Sequence, residues 1–157
     1  VANPTLRIEA LAMVMRLFGI AQGDSTVLAK AVPGVPAWGV SYVNGAVNAG
    51  VDYDWSLAMD QPITRLEVAK LFVAAIQSIE GQSFFTPATA IEVADEKYGD
   101  WSVIAKDING ALAVESLTDL GIFQGGGDGN FHPYDQFLRS EFATTNKRFV
   151  ETFGLMN

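Results

Sequence analysis

The feature that most constrains this chain is a short motif met three times: an arginine, one intervening residue and a glutamate, each heading an apolar stripe. The three segments are Leu6-Arg7-Ile8-Glu9, Thr64-Arg65-Leu66-Glu67 and Leu138-Arg139-Ser140-Glu141. Behind the second, Val68, Leu71, Phe72, Ala75, Ile76 and Ile79 step by three and four, as one face of an amphipathic helix requires. The stripe behind the first is Leu11, Val14, Met15 and Phe18; behind the third it is Phe142, Phe149, Val150 and Phe153, interrupted by Thr145 and Asn146. Repeated units of this kind bury their apolar faces against one another, so the repeat decides the architecture.

Two of these helices are preceded by a second recurring element. Trp38 leads Tyr42, Val43, Ala46 and Val47, and Trp101 leads Ile104, Ala105, Ile108 and Leu112, both at helical spacing. Each stripe ends at a glycine before an apolar residue, Gly50-Val51 and Gly121-Ile122, which suits a helix closing in a left-handed cap. The unit is helix, loop, helix, and three such units with exposed apolar faces close most simply around a pseudo-threefold axis. The fold expected is therefore all-α, a single domain over 1–157 with repeats at about 1–22 (a second half only), 31–80 and 91–157.

Composition narrows the function classes. A chain of 157 residues can bury roughly 70% of its unfolded surface in one core. The net charge of -8 opposes nucleic-acid binding, which needs a basic stripe. No apolar run approaches the roughly 20 residues that span a bilayer, so no membrane insertion is expected. There is no cysteine, hence no disulfide framework and no thiolate metal site. Val1 to Thr5 has neither a basic nor an apolar leader region, and the chain reads as a mature fragment.

The residues at the helix starts have distinct physical tasks. Thr64 and Glu67 stand as the two ends of a capping box, each satisfying an orphan backbone N–H. Glu9 and Glu141 occupy the same position behind Leu6 and Leu138, which cannot complete the box. All three glutamates read as structural caps, with ligand contact as the alternative. An arginine at a helix start opposes the macrodipole, so something else must favour Arg7, Arg65 and Arg139. A guanidinium can grip an anion through two parallel hydrogen bonds, or it can pair with one of the chain's carboxylates. Trp38 and Trp101 suit either stacking on a sugar face or core packing. The lone histidine, His132, has no ligand spacing around it, and Asp128, Asn130 and Asp135 lack the closing glutamate of a calcium loop. No metal, cofactor or hydrolase signature emerges, and the chain is not expected to be an enzyme.

Taken together, Gly125 to Pro133, Leu138 to Phe142, Pro62-Ile63-Thr64-Arg65-Leu66-Glu67 and Val32-Pro33-Gly34-Val35-Pro36-Ala37-Trp38 closely resemble the S-layer homology repeat. That resemblance covers about Pro4 to Leu155 and implies a three-pronged spindle with ligand grooves between repeats. It implies a non-catalytic module at the extracellular face of a prokaryote, in its cell wall or surface layer, anchoring the host protein to a secondary cell-wall polysaccharide that often bears a ketal-linked pyruvate. Other surface-layer chains are a further expected partner. On the resemblance, Arg7, Arg65, Arg139, Trp38, Trp101 and Asp95 are the glycan-binding candidates, with Arg7 facing Trp38 and Arg65 facing Trp101.

Departures from the family pattern temper this. Gly34 stands where an entry aspartate is usual, Asp95 is separated from Trp101 by an insertion, and the loop from Asp52 to Gln61 is short and lacks an Asp-Gly turn. The first repeat lacks its Trp-led half, which Arg139 would need to complete a groove. A worn site of this sort also suits a structural or protein–protein connector in a surface assembly.

Overall fold

The computed structural model describes residues 3–80, 98–125 and 127–154. Asp95 lies outside them, as does part of the segment assigned to the third repeat. The described residues are helical, in the order α1 (Arg7–Phe18), a 3-10 turn (Ala37–Gly39), α2 (Val40–Ala49), α3 (Arg65–Glu80), α4 (Trp101–Ile104), α5 (Ile108–Asp119) and α6 (Arg139–Phe153). Among them no extended strand forms, so the chain is all-α as its periodicity predicts.

Helices α1, α3 and α6 each begin at the arginine of the recurring motif. The reason is local. In front of each, the glutamate two residues on reaches back to a backbone N–H: Glu9 to Leu6 at 2.9 Å, Glu67 to Thr64 at 2.9 Å and Glu141 to Leu138 at 3.2 Å. Only the second box is reciprocal, because Thr64 Oγ1 accepts from Glu67 N at 3.2 Å and a leucine has no acceptor to offer.

The three helix entries are stitched into a ring by backbone hydrogen bonds. Thr5 N donates to Phe137 O, Phe137 N to Ile63 O, and Ile63 N to Thr5 O, each at 2.9 Å. A second ring runs outside the first: Arg7 N to Gln61 O, Arg65 N to Asp135 O and Arg139 N to Asn3 O. Single bridge pairs, Pro4 with Leu138, Leu6 with Pro62 and Thr64 with Gln136, record the same contacts. Thr5, Ile63 and Phe137 are almost wholly buried where the entries meet, so these backbone groups are withdrawn from water and must find partners in one another.

Below this ring the helices meet through aromatic side chains. Phe72 of α3 stacks on Phe149 of α6 at 4.3 Å and meets Phe18 of α1 edge-on at 6.2 Å, while Phe18 meets Phe149 at 5.4 Å. These distances suit offset and edge-to-face ring packing. On the flank, the loop after α1 lies against α2, where buried Asn44 donates to Asp24 O and Val27 O and accepts from Ala29 N, all at 2.8 Å.

The stripe led by Trp101 does not form one helix. It breaks into α4 and α5 because Asp107 caps the second piece, accepting from Gly110 N at 3.0 Å and from Lys70 Nζ of α3 at 2.8 Å. Ile108, at helical spacing from Trp101, consequently lies outside the core, 59% exposed. The Trp38 stripe likewise starts with a 3-10 turn before α2. Gly50 and Gly121 end α2 and α5 at φ of 79° and 75°, where a side chain would be strained.

Candidate functional site

The motif arginines all turn to glutamates of another entry. Arg7 Nε donates to Glu67 Oε1 at 2.7 Å, Arg65 Nη1 pairs with Glu141 Oε2, and Arg139 Nη2 donates to Glu9 Oε2 at 2.8 Å. Each glutamate therefore serves twice, capping its own helix and neutralising the arginine of the preceding one in cyclic order. This is the favourable interaction that offsets a cation at a helix N-terminus. The three pairs differ in exposure: the arginine side chains are 15%, 13% and 56% exposed for Arg7, Arg65 and Arg139. Arg139 is thus the open one, and its pair is the most screened by solvent.

Beside Arg65 lies an open cavity of about 720 Å³. Its walls come from the loop after α5 (Phe123, Gln124, Gly125), the Phe131 to Leu138 segment, and α6 (Glu141, Thr144, Thr145, Arg148). Arg65 is pinned there: Nε donates to Phe131 O at 2.8 Å, and its guanidinium carbon lies 4.9 Å from the Phe131 ring and 5.8 Å from the Phe137 ring. Such placement over aromatic faces holds a cation through the ring quadrupole. Tyr134, 61% exposed, stands at the rim.

His132 takes part in the same wall with a backbone φ of 61°, uncommon outside glycine. Asp100 holds it so: its two carboxylate oxygens accept from Phe131 N at 2.9 Å and His132 N at 2.8 Å. The imidazole Nε2 lies 2.6 Å from Asp128, whose own Oδ1 accepts from Asn130 N at 3.0 Å. The hydrogen bond that the protonated ring donates to Asp128 raises the His132 pKa, with Asp128, Asp135 and Asp100 adding negative charge nearby. Asp128 in turn is lowered, first by the Asn130 N–H and then by His132. Among the described residues no cluster of three or more His, Asp or Glu side chains is arranged to hold a metal ion.

The tryptophans part company. Trp101 is 4% exposed and does not line the cavity beside Arg65. Trp38 is 52% exposed and meets Tyr42 edge-on at 6.1 Å, while Arg16 Nη2 donates to the Tyr42 hydroxyl at 2.7 Å. Arg7 is occupied by Glu67 and by Ala58 O at 2.9 Å. The short loop next to it carries Tyr53 and Trp55, 5.3 Å apart, with Trp55 buried. Burial first, and then the charge of Glu67, push the Tyr53 phenol well above its ordinary range. This loop does contain an aspartate turn: Asp54 Oδ1 accepts from Ser56 N at 3.1 Å, as Asp128 does from Asn130 N. The motif Asp-x-Ser stands there in place of Asp-Gly-Asn.

Three residues escaped the sequence reading: Asp100, Asp107 and Arg148. Asp100 was hidden behind Asp95 as the entry aspartate, although its place directly before Trp101 is a usable signal. Arg148 follows Arg139 by nine positions, as Arg16 follows Arg7, and that repeated spacing was also available.

Residues 106–143 match the family model described as S-layer homology domain. That match takes in α5, the cavity loop and the start of α6, including Arg139 and Glu141. Over 154 aligned residues the chain is 27% identical to cell surface glycoprotein 1 of Acetivibrio thermocellus. The alignment covers 92% of this chain and 6% of that protein, so the chain spans only a small part of its curated relative.

Proposed function

We propose that this chain, whose residues 106–143 match the S-layer homology model, is a non-catalytic module that anchors its host protein at the cell surface of a prokaryote by holding a secondary cell-wall polysaccharide. The observation that carries this reading is the open cavity beside Arg65, which falls largely within the matched segment and joins an exposed aromatic rim to guanidinium groups. Sugars are bound by such combinations, with aromatic faces against C–H surfaces and planar donors against hydroxyl or carboxylate oxygens. The polymer proposed carries carboxylates, as a pyruvate ketal would supply.

The cyclic backbone bonds support reading the three helix entries as repeats about a pseudo-threefold axis. On that reading the three entries are no longer equivalent. Arg65 borders an open groove, Arg7 lies beside the Tyr53 and Trp55 loop, and Arg139 with exposed Trp38 offers further surface contacts to polymer. Asp95 belongs to the proposed glycan set by resemblance alone.

Calorimetric titration of the chain with soluble pyruvylated wall polysaccharide tests the proposal. Saturable binding weakened by Arg65→Ala is expected; an absence of binding would sink it. A second reading, a connector to other surface-layer chains, is favoured by the surroundings of Arg7, whose guanidinium is taken up by Glu67 and Ala58 O beside the packed Tyr53 and Trp55 pair. It predicts association between surface-layer chains that persists in the absence of polysaccharide, measured by sedimentation velocity.

A further inference from the structure

The cavity beside Arg65 holds two guanidinium groups in different electrostatic states. Arg65 is neutralised by Glu141 and donates a further bond to Phe131 O. Arg148, projecting from α6 into the same cavity, has no carboxylate within ion-pair distance among the described residues. Its Nη1 donates to Ile122 O at 3.0 Å and its Nη2 makes a longer bond, 3.4 Å, to Gln124 Oε1. Both acceptors are neutral. A guanidinium has five N–H donors, so most remain for a ligand, and the Gln124 amide nitrogen adds more.

Placement makes the difference functional. Arg16, at the matching position of α1, also has no carboxylate within ion-pair distance among the described residues, but it lies against the Tyr42 ring at 5.3 Å and bonds its hydroxyl. At the corresponding position of α3, nine residues after Arg65, stands Ala74. Only the α6 copy of this position both carries a guanidinium and opens on the cavity. The surrounding carboxylates are spoken for: Glu141 by Arg65, and Asp128 by His132, with Asp135 4.0 Å from His132 Nδ1.

We propose that Arg148, steadied by Ile122 O and Gln124, is the specificity-determining residue of the groove, reading the carboxylate of an acidic saccharide. This deepens the wall-binding reading and rests on it. Arg65 then shapes the wall and meets neutral oxygens, while the net attraction for the acid comes from Arg148. A planar fork fits a carboxylate bidentately, which an ammonium cannot do.

The test pairs two ligands with three variants. Soluble polysaccharide released from the native host's cell-wall sacculi is used as isolated and after its carboxylates are reduced to alcohols. By calorimetry the wild-type chain should prefer the unreduced polymer by about ten- to hundredfold, the range for a charge-assisted contact. Arg148→Gln should bind both forms equally weakly, and Arg148→Lys should keep part of the preference. Lys147→Gln, which removes a neighbouring exposed charge outside the cavity, should keep all of it. If Arg148 merely braced the loop through Ile122, its loss would weaken both polymers in parallel and leave their ratio intact. That outcome overturns the inference alone. A wild-type chain that binds neither form overturns the wall-binding reading and the inference with it.

Discussion

His132 shows how a single residue in this wall is held by its neighbours. Its left-handed backbone is affordable because Asp100 accepts both adjacent N–H groups, and its ring is tied to Asp128. The pairing has a definite pH signature. A folded pKa above the ordinary 6.5 means that this contribution to stability is complete below 6.5 and is lost as pH rises through the higher folded value. For Asp128 the sign is opposite: its contribution is present above the ordinary 3.8 and is lost as pH falls through its lower folded value. Because the chain has one histidine, its imidazole proton resonances are unambiguous by NMR. Their titration midpoint should lie above 6.5, and Asp128→Asn should bring it back toward that value. A wild-type midpoint at or below 6.5 would contradict the pairing.

At the scale of elements, packing overrules local preference. Gly45 lies inside α2, where alanine would ordinarily be favoured by about 1 kcal/mol. Here a Cβ would run into Ala21 O and stand 2.9 Å from both Gln22 Cα and Met15 Cε. The first two are backbone atoms of the loop bound to Asn44, and they cannot swing aside. Gly45→Ala should therefore destabilise the protein by about 1–3 kcal/mol, the usual cost of overpacking, seen as a lower urea midpoint with an unchanged slope. A gain in stability would mean that the loop does not lie on α2 as described. Asp107 illustrates the same principle: burial raises its carboxyl, but the Lys70 bond and the Gly110 N–H outweigh this and hold it below its usual range. That cap splits a stripe that spacing alone reads as continuous.

Across the whole molecule, Phe72 joins what the sequence separates. It touches rings from α1, the loop after α5, and α6. Phe72→Ala should cost about 3–5 kcal/mol, a large share of the 5–15 kcal/mol typical of a domain. Chemical denaturation followed by near- and far-ultraviolet circular dichroism should show one shared transition at much lower denaturant. Separate transitions would show that the helices do not share one core.

What the chain determined by itself lies within a few residues of each motif. Arginine, glutamate and the stripe behind them specify where α1, α3 and α6 begin and which face is apolar, because capping and periodicity act over three or four positions. The family resemblance followed from the same short patterns. The partners of those side chains were decided only by the tertiary structure. Arg65 meets Glu141 across 76 positions, Asp100 meets His132 across 32, and Arg148 meets Ile122 across 26. Trp38 and Trp101 have similar sequence surroundings, yet one is exposed and the other buried. Charge pairing and burial depend on which surfaces the closed ring of helix entries brings together, and periodicity within one segment carries no record of that meeting.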